Sequence, residues 1–148
     1  ALAEQMIEDC GTEGPIYAYN AGFERNVCKD LAETYPDLST HLEALRIRIE
    51  DLLPIARVCY YNPSQNGSWS LKAVAPAIAP ELSYDNLEGV HVGSEAGIAY
   101  LEACQPETTA ERRKELRKQM LAYCELDTFA TVRIWQLFKG ISRQQKAE

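Results

Sequence analysis

Ligand-spaced cysteines and histidines are missing from this sequence. Its five cysteines (Cys10, Cys28, Cys59, Cys104, Cys124) form no C-x-x-C pair, and it has only two histidines, His41 and His91. A zinc site therefore lacks its usual spacing, and an odd, scattered set of thiols suits a reduced, mostly buried role in a cytoplasmic protein. Long apolar runs are also missing. None approaches the roughly 18–20 residues that a membrane span requires, and no secretory signal opens the chain. Basic charge is scarce: 15 Lys and Arg stand against 22 Asp and Glu, a net charge of −7. No global positive field exists to draw in phosphate, so nucleic acid would need a local basic patch or bound metal ions.

What is present fits one ordinary α/β domain. The 148 residues are 46% apolar, which excludes disorder and disulfide-stapled miniproteins. The chain starts on Ala1, inside what reads as a helix, so the expectation is a piece of a longer protein. Leu2, Met6 and Ile7 give a short amphipathic helix up to Cys10, ended by the Gly11–Pro15 turn residues. Ile16–Tyr19 is a β-prone run bounded by turns, and the helix after it reaches about Tyr35 before Pro36. Ser39 is a candidate N-cap for a helix to Ile47. A second strand follows near Ile49–Leu53, with Pro54 marking its end. Tyr60–Ser68 is a loop, Leu71–Ile78 a helix, Leu82–Gly93 irregular, and Ser94–Cys104 helical. The fold expected is helix-rich α/β: two short parallel strands among five or six helices, without linker or repeat.

The final helix is the strongest signal. Thr108-Thr109-Ala110-Glu111 fits a capping box, and the pattern continues to Phe138. Such a length of about 45 Å predicts a break, a bend or a projecting end. Leu116, Met120, Tyr123, Asp127, Ala130, Ile134 and Leu137 follow the spacing of a core-facing stripe. Asp127 interrupts it. A carboxylate there must be paired, hydrogen-bonded, protonated or bound to a metal ion, unless helix rotation brings it to the surface. Arg57 and Arg25 are candidate partners. Glu24 raises the same question, because it follows a buried strand and shares a face with Cys28 and Leu31. It either complements a helix N-terminus or is a carboxylate at the C-terminal end of a strand, where open α/β sheets place ligands.

Taken together, these residues resemble a known pattern. Tyr19-Asn20-Ala21-Gly22-Phe23-Glu24 resembles the second motif of the DnaQ-like (DEDD) 3′–5′ exonucleases, Asn-x-x-x-acid at a strand-to-helix junction. Tyr123-Cys124-Glu125-Leu126-Asp127 resembles their third motif, Tyr-x-x-x-Asp, in the tyrosine branch. Ser70-Leu71-Lys72 resembles a helix start common in that superfamily. Across most of the chain, including Gly67–Lys72 and Leu82-Ser83-Tyr84-Asp85, the likeness is to DUF2779, a bacterial domain family grouped with the ribonuclease H-like proteins.

The resemblance implies a metal-dependent nuclease acting on a DNA or RNA 3′ end, with Mg²⁺ or Mn²⁺ as cofactor. Glu24 and Asp127 would be metal ligands and catalytic residues, since hard divalent cations take carboxylate oxygens. Tyr123 would orient the attacking water. Asn20 would brace the junction or touch the nucleotide, and Lys72 or Arg57 would contact phosphate. Glu24 stands where the superfamily usually has Asp. The first motif, Asp-x-Glu, occurs nowhere in the sequence, and the family's first three strands are absent, so a partial ribonuclease H-like fold, inactive by itself, is expected. Its inner strand would then show a bare edge suited to homodimerisation. The alternative is a nuclease-derived module that binds nucleic acid or protein without cleaving.

Other candidates carry blander readings. Asp51 supports the site or caps the strand's end. His41 and His91 read as surface residues, and Trp69, Tyr60 and Tyr61 as core seals or base-stacking groups. Arg112, Arg113, Lys114, Arg117 and Lys118 alternate with acids, as on a solvated helix face.

Overall fold

The computed structural model describes residues 2–140, which pack as two compact units, residues 2–61 and residues 62–140. Ala1 itself lies outside the described residues. The boundary falls inside the Asn-, Gly-, Ser- and Pro-containing segment that the sequence marks as a loop.

In the first unit, α1 (Leu2–Cys10) leads to β1 (Ile16–Ala18), α2 (Gly22–Thr34), a 3₁₀ turn at Pro36–Leu38, and α3 (Ser39–Arg48). Next come β2 (Ile49–Asp51) and α4 (Leu52–Cys59). β1 and β2 pair in parallel with Ile16 opposite Ile49 and Ala18 opposite Asp51. A parallel pair needs a long crossover, and α2 and α3 supply it. Ala18, Ala21, Cys28 and Ile49 form one buried cluster beneath the strands, and Ala3, Ala32 and Leu42 form another between α1, α2 and α3.

Two boundaries differ from the sequence expectation. The second strand stops at Asp51 rather than Leu53, because Asp51 caps a helix: its carboxylate accepts the Leu53 N–H at 2.9 Å. Pro54 then lies in the first turn of α4, where no intrahelical N–H is required, so it starts a helix instead of ending a strand. α4 brings the described α-helices to seven rather than five or six. Ser39 is also not the cap of α3. The 3₁₀ turn begun by Pro36 moves the cap position to Leu38.

The second unit contains α5 (Leu71–Ile78), α6 (Gly93–Cys104) and α7 (Ala110–Phe138), with 3₁₀ turns at Pro63–Gln65, Pro80–Leu82 and Tyr84–Asn86. α5 and α6 both pack on α7. Thr109, one residue later than expected, caps α7 by accepting the Arg112 N–H, and its 29 residues run without a break. The predicted stripe buries Leu116, Tyr123, Ala130 and Ile134, whereas Leu137 is exposed. Tyr84, Val90, Ala99, Leu116 and Tyr123 form the core between α6, α7 and the irregular segment. Ala75, Ala79, Leu82 and Ala130 form the core under α5.

The thiols are a correction. Only Cys28 is buried, while Cys59, Cys104 and Cys124 are exposed, and all five are free. The basic cluster is not simply solvated either. Arg112 pairs with Glu102 (2.8 Å) and Glu115 (3.1 Å), and Arg113 donates to the carbonyls of Ala103, Gln105 and Thr108. These two arginines tie the α6–α7 connection to the first turn of α7.

Candidate functional site

In the first unit the strand-to-helix junction is built around one carboxylate. Asn20 has φ 66°, a left-handed conformation that asparagine tolerates better than most residues. Its N–H donates to Asp51 Oδ1 at 2.9 Å, the same oxygen that receives the Leu53 N–H. Asp51 therefore joins the end of β1 to the end of β2 and to the start of α4. Of the two roles open to Asn20, the brace is the one visible here. Glu24 lies exposed in the first turn of α2, favourably placed for the helix dipole. Tyr19 beside them is half-buried, and desolvation pushes its hydroxyl up to about 12, with Arg57 opposing that shift and Asp51 adding to it.

In the second unit, Lys72, Tyr123 and Asp127 come together, joined by Tyr84 and His91. Tyr123 and Asp127 are one helical turn apart on α7. The Tyr84 hydroxyl donates to Asp127 Oδ1 at 2.5 Å, which gives the carboxylate its hydrogen-bond partner on the core stripe. Arg25, one candidate for that role, donates instead to the Ile49 carbonyl. The Tyr84 and Tyr123 rings lie 6.0 Å apart and tilted by 57°. The Lys72 ammonium sits over both, 5.2 Å from one ring centre and 5.5 Å from the other, within cation–π range. Lys72 also donates to the His91 carbonyl, and His91 Nδ1 donates to the Tyr84 carbonyl at 3.1 Å. Glu95, in the first turn of α6, closes the segment by accepting the His91 and Val92 N–H groups at 2.7 and 3.1 Å. Those backbone bonds, His91's first, hold its carboxyl below the usual range.

Lys72 and His91 are thus half-buried parts of one network rather than surface charges. Burial raises the Tyr123 hydroxyl to about 12, with Asp127 adding to the shift. Tyr84 moves in the same direction, first by burial and then by its bond to Asp127. A cavity of about 450 Å³ opens beside the cluster, lined by Lys72, Tyr84, Asp85, His91 and Val92 among others. The Tyr123 hydroxyl lies close to Gly93 at the start of α6, where an added Cβ would stand 3.8 Å from it.

Tyr84 is the residue whose role sequence reasoning missed. Half of the signal was present: a carboxylate on a core stripe needs a donor, while Tyr84, between Ser83 and Asp85, carries no apolar pattern that would mark it as that donor.

Glu24 belongs to the first unit and Lys72, Tyr123 and Asp127 to the second. As oxygen donors, Glu24 and Asp127 suit Mg²⁺ or Mn²⁺ in kind. In number they fall short: among the described residues no group of three or more His, Cys, Asp or Glu could hold a metal ion. Among the described residues, no helix is long and apolar enough to cross a membrane.

Residues 1–70 match the model of a family described as a domain of unknown function, DUF2779. No curated protein and no solved structure matches the chain. The family match covers the Asn20–Glu24 junction and all of the first unit, and it ends at Ser70, before Lys72, Tyr123 and Asp127.

Proposed function

We propose that this chain forms part of a ribonuclease H-like nuclease, a metal-dependent 3′–5′ exonuclease acting on a DNA or RNA end. The observation that carries the reading is the inward-facing Tyr123–Asp127 pair with the Lys72 cation against it, found where the sequence resembles the third exonuclease motif. The parallel strand pair supports it, since Glu24 follows the C-terminal end of β1, the ligand side of open α/β folds. In this reading Glu24 and Asp127 supply carboxylate oxygens, Tyr123 orients water, and Lys72 neutralises phosphate charge. Further acidic ligands come from outside the described residues, so the chain by itself is inactive. A bound divalent cation supplies positive charge to the phosphodiester.

A second reading is a module that binds nucleic acid or protein without cleavage. Two observations favour it: among the described residues no three His, Cys, Asp or Glu side chains gather as metal ligands, and the Tyr84 hydroxyl sits on Asp127. The two readings separate in one experiment. The complete protein that carries this chain is incubated with 5′-labelled single-stranded DNA and RNA, with and without Mn²⁺. Shortening from the 3′ end that falls at least about a hundredfold in Asp127→Asn supports the nuclease. Retention of labelled strand on the protein without shortening establishes the binding module, and neither outcome overturns both.

A further inference from the structure

We infer that Tyr84 is a positioning residue for Asp127, a role that rests on the nuclease reading only for what Asp127 then does. Tyr84 is only 5% exposed, and its hydroxyl holds Asp127 Oδ1 at 2.5 Å. Tyr84 is itself fixed from three sides. Its carbonyl accepts from the His91 ring, its ring face carries the Lys72 ammonium, and its ring packs at a tilt beside that of Tyr123. Lys72 returns to the His91 carbonyl, so the segment from Tyr84 to His91 is closed around the same cation.

This chain of contacts determines what the carboxylate can do. Oδ1 is held by the Tyr84 hydroxyl while Tyr123 lies against the same carboxylate, so Asp127 is held in one orientation. Without the Tyr84 bond the carboxylate would be held from the Tyr123 side alone and would turn more easily about χ2, and a misplacement of about 1 Å can cost about a hundredfold in rate. The tyrosine thus fixes Asp127 in one geometry without touching substrate.

The test substitutes Tyr84→Phe, which keeps the ring and removes the hydroxyl. Its crystal structure is expected to show the Asp127 carboxylate turned from its wild-type orientation. In the complete protein, 3′-end cleavage is expected to lose about ten- to a hundredfold in kcat with KM changed less than about twofold. An Asp127 carboxylate that keeps its orientation, or a kcat that does not change, overturns the proposal. If wild-type protein cleaves nothing, the nuclease reading fails, and the Asp127 orientation in Tyr84→Phe still decides the positioning role. Should Tyr84→Phe not fold, Asp127→Asn retains an acceptor. A Tyr84 hydroxyl turned away from residue 127 in that variant would overturn the proposal equally.

Discussion

Arg48 spends its whole guanidinium on backbone. It donates to the carbonyls of Cys10 (2.9 Å), Gly11 (2.6 Å), Glu13 (2.6 Å) and Gly14 (2.7 Å), fixing the turn that delivers the chain into β1. A lysine at this position keeps the charge but has a single nitrogen and no planar fork. Arg48→Lys is therefore expected to destabilise the protein by about 1.5–3 kcal/mol, read from urea unfolding, because most of these carbonyls lose their charged donor. Asp51 acts on a similar scale, and Asp51→Ala should cost about 1–3 kcal/mol through the lost α4 cap and the freed Asn20 N–H. The sequence shows such residues only in part. Asp51 is recognisable as a strand-end acid, but its grip on Asn20 spans 31 residues and belongs to the strand pairing. Asp127 is conspicuous as an acid on an apolar stripe, whereas Tyr84 lies 43 residues away in a segment without periodicity.

Elements were legible where one face is apolar and the ends carry cap chemistry. α1, α5 and α7 start and stop close to where composition places them, because Gly, Pro, Ser and Thr at their ends act within a few residues. The β2–α4 boundary was not legible: Leu52, Leu53 and Ile55 suit strand or helix equally, and a single hydrogen bond from Leu53 to Asp51 decides. The irregular segment before α6 has its own constraint. Gly89 has φ +79°, and a Cβ there would stand 2.3 Å from Gln119 Oε1 and 2.5 Å from its Cδ, both on α7. Gly89→Ala should lower stability by about 1–3 kcal/mol, combining left-handed strain with that contact. Adding Gln119→Ala clears the contact but leaves the backbone strain. Thermal unfolding should therefore show partial recovery in the double variant, and full recovery would mean that the φ of Gly89 carries no cost.

At the scale of the whole molecule, both units bury tyrosine hydroxyls beside carboxylates, and this sets an alkaline limit to stability. Tyr19 in the first unit and Tyr123 in the second are each raised from 10 to about 12, chiefly by burial, and Tyr84 is raised as well. Below pH 10 these groups are protonated in folded and unfolded chains alike, so their contribution is fully present. Between pH 10 and 12 the unfolded chain releases protons that the folded chain retains, and stability falls as pH rises. The slope steepens towards about 1.4 kcal/mol per pH unit for each such tyrosine. Denaturant midpoints measured from pH 8 to pH 11.5 should therefore be level at first and then fall. Tyr123→Phe should flatten that fall, because the hydroxyl that titrates late is gone. A fall equally steep in this variant would place the alkaline sensitivity elsewhere. The raised Cys28 thiol adds a smaller component of the same sign that starts nearer pH 9, and Cys28→Ala would separate it from the tyrosines. The Tyr84–Asp127 contact also fixes how the two second-unit tyrosines depend on the carboxylate. Asp127→Asn removes the negative charge that helps hold both hydroxyls protonated, so their folded-state values move back towards 10 and the alkaline fall should be smaller and end at a lower pH in this variant, while the part carried by Tyr19 remains.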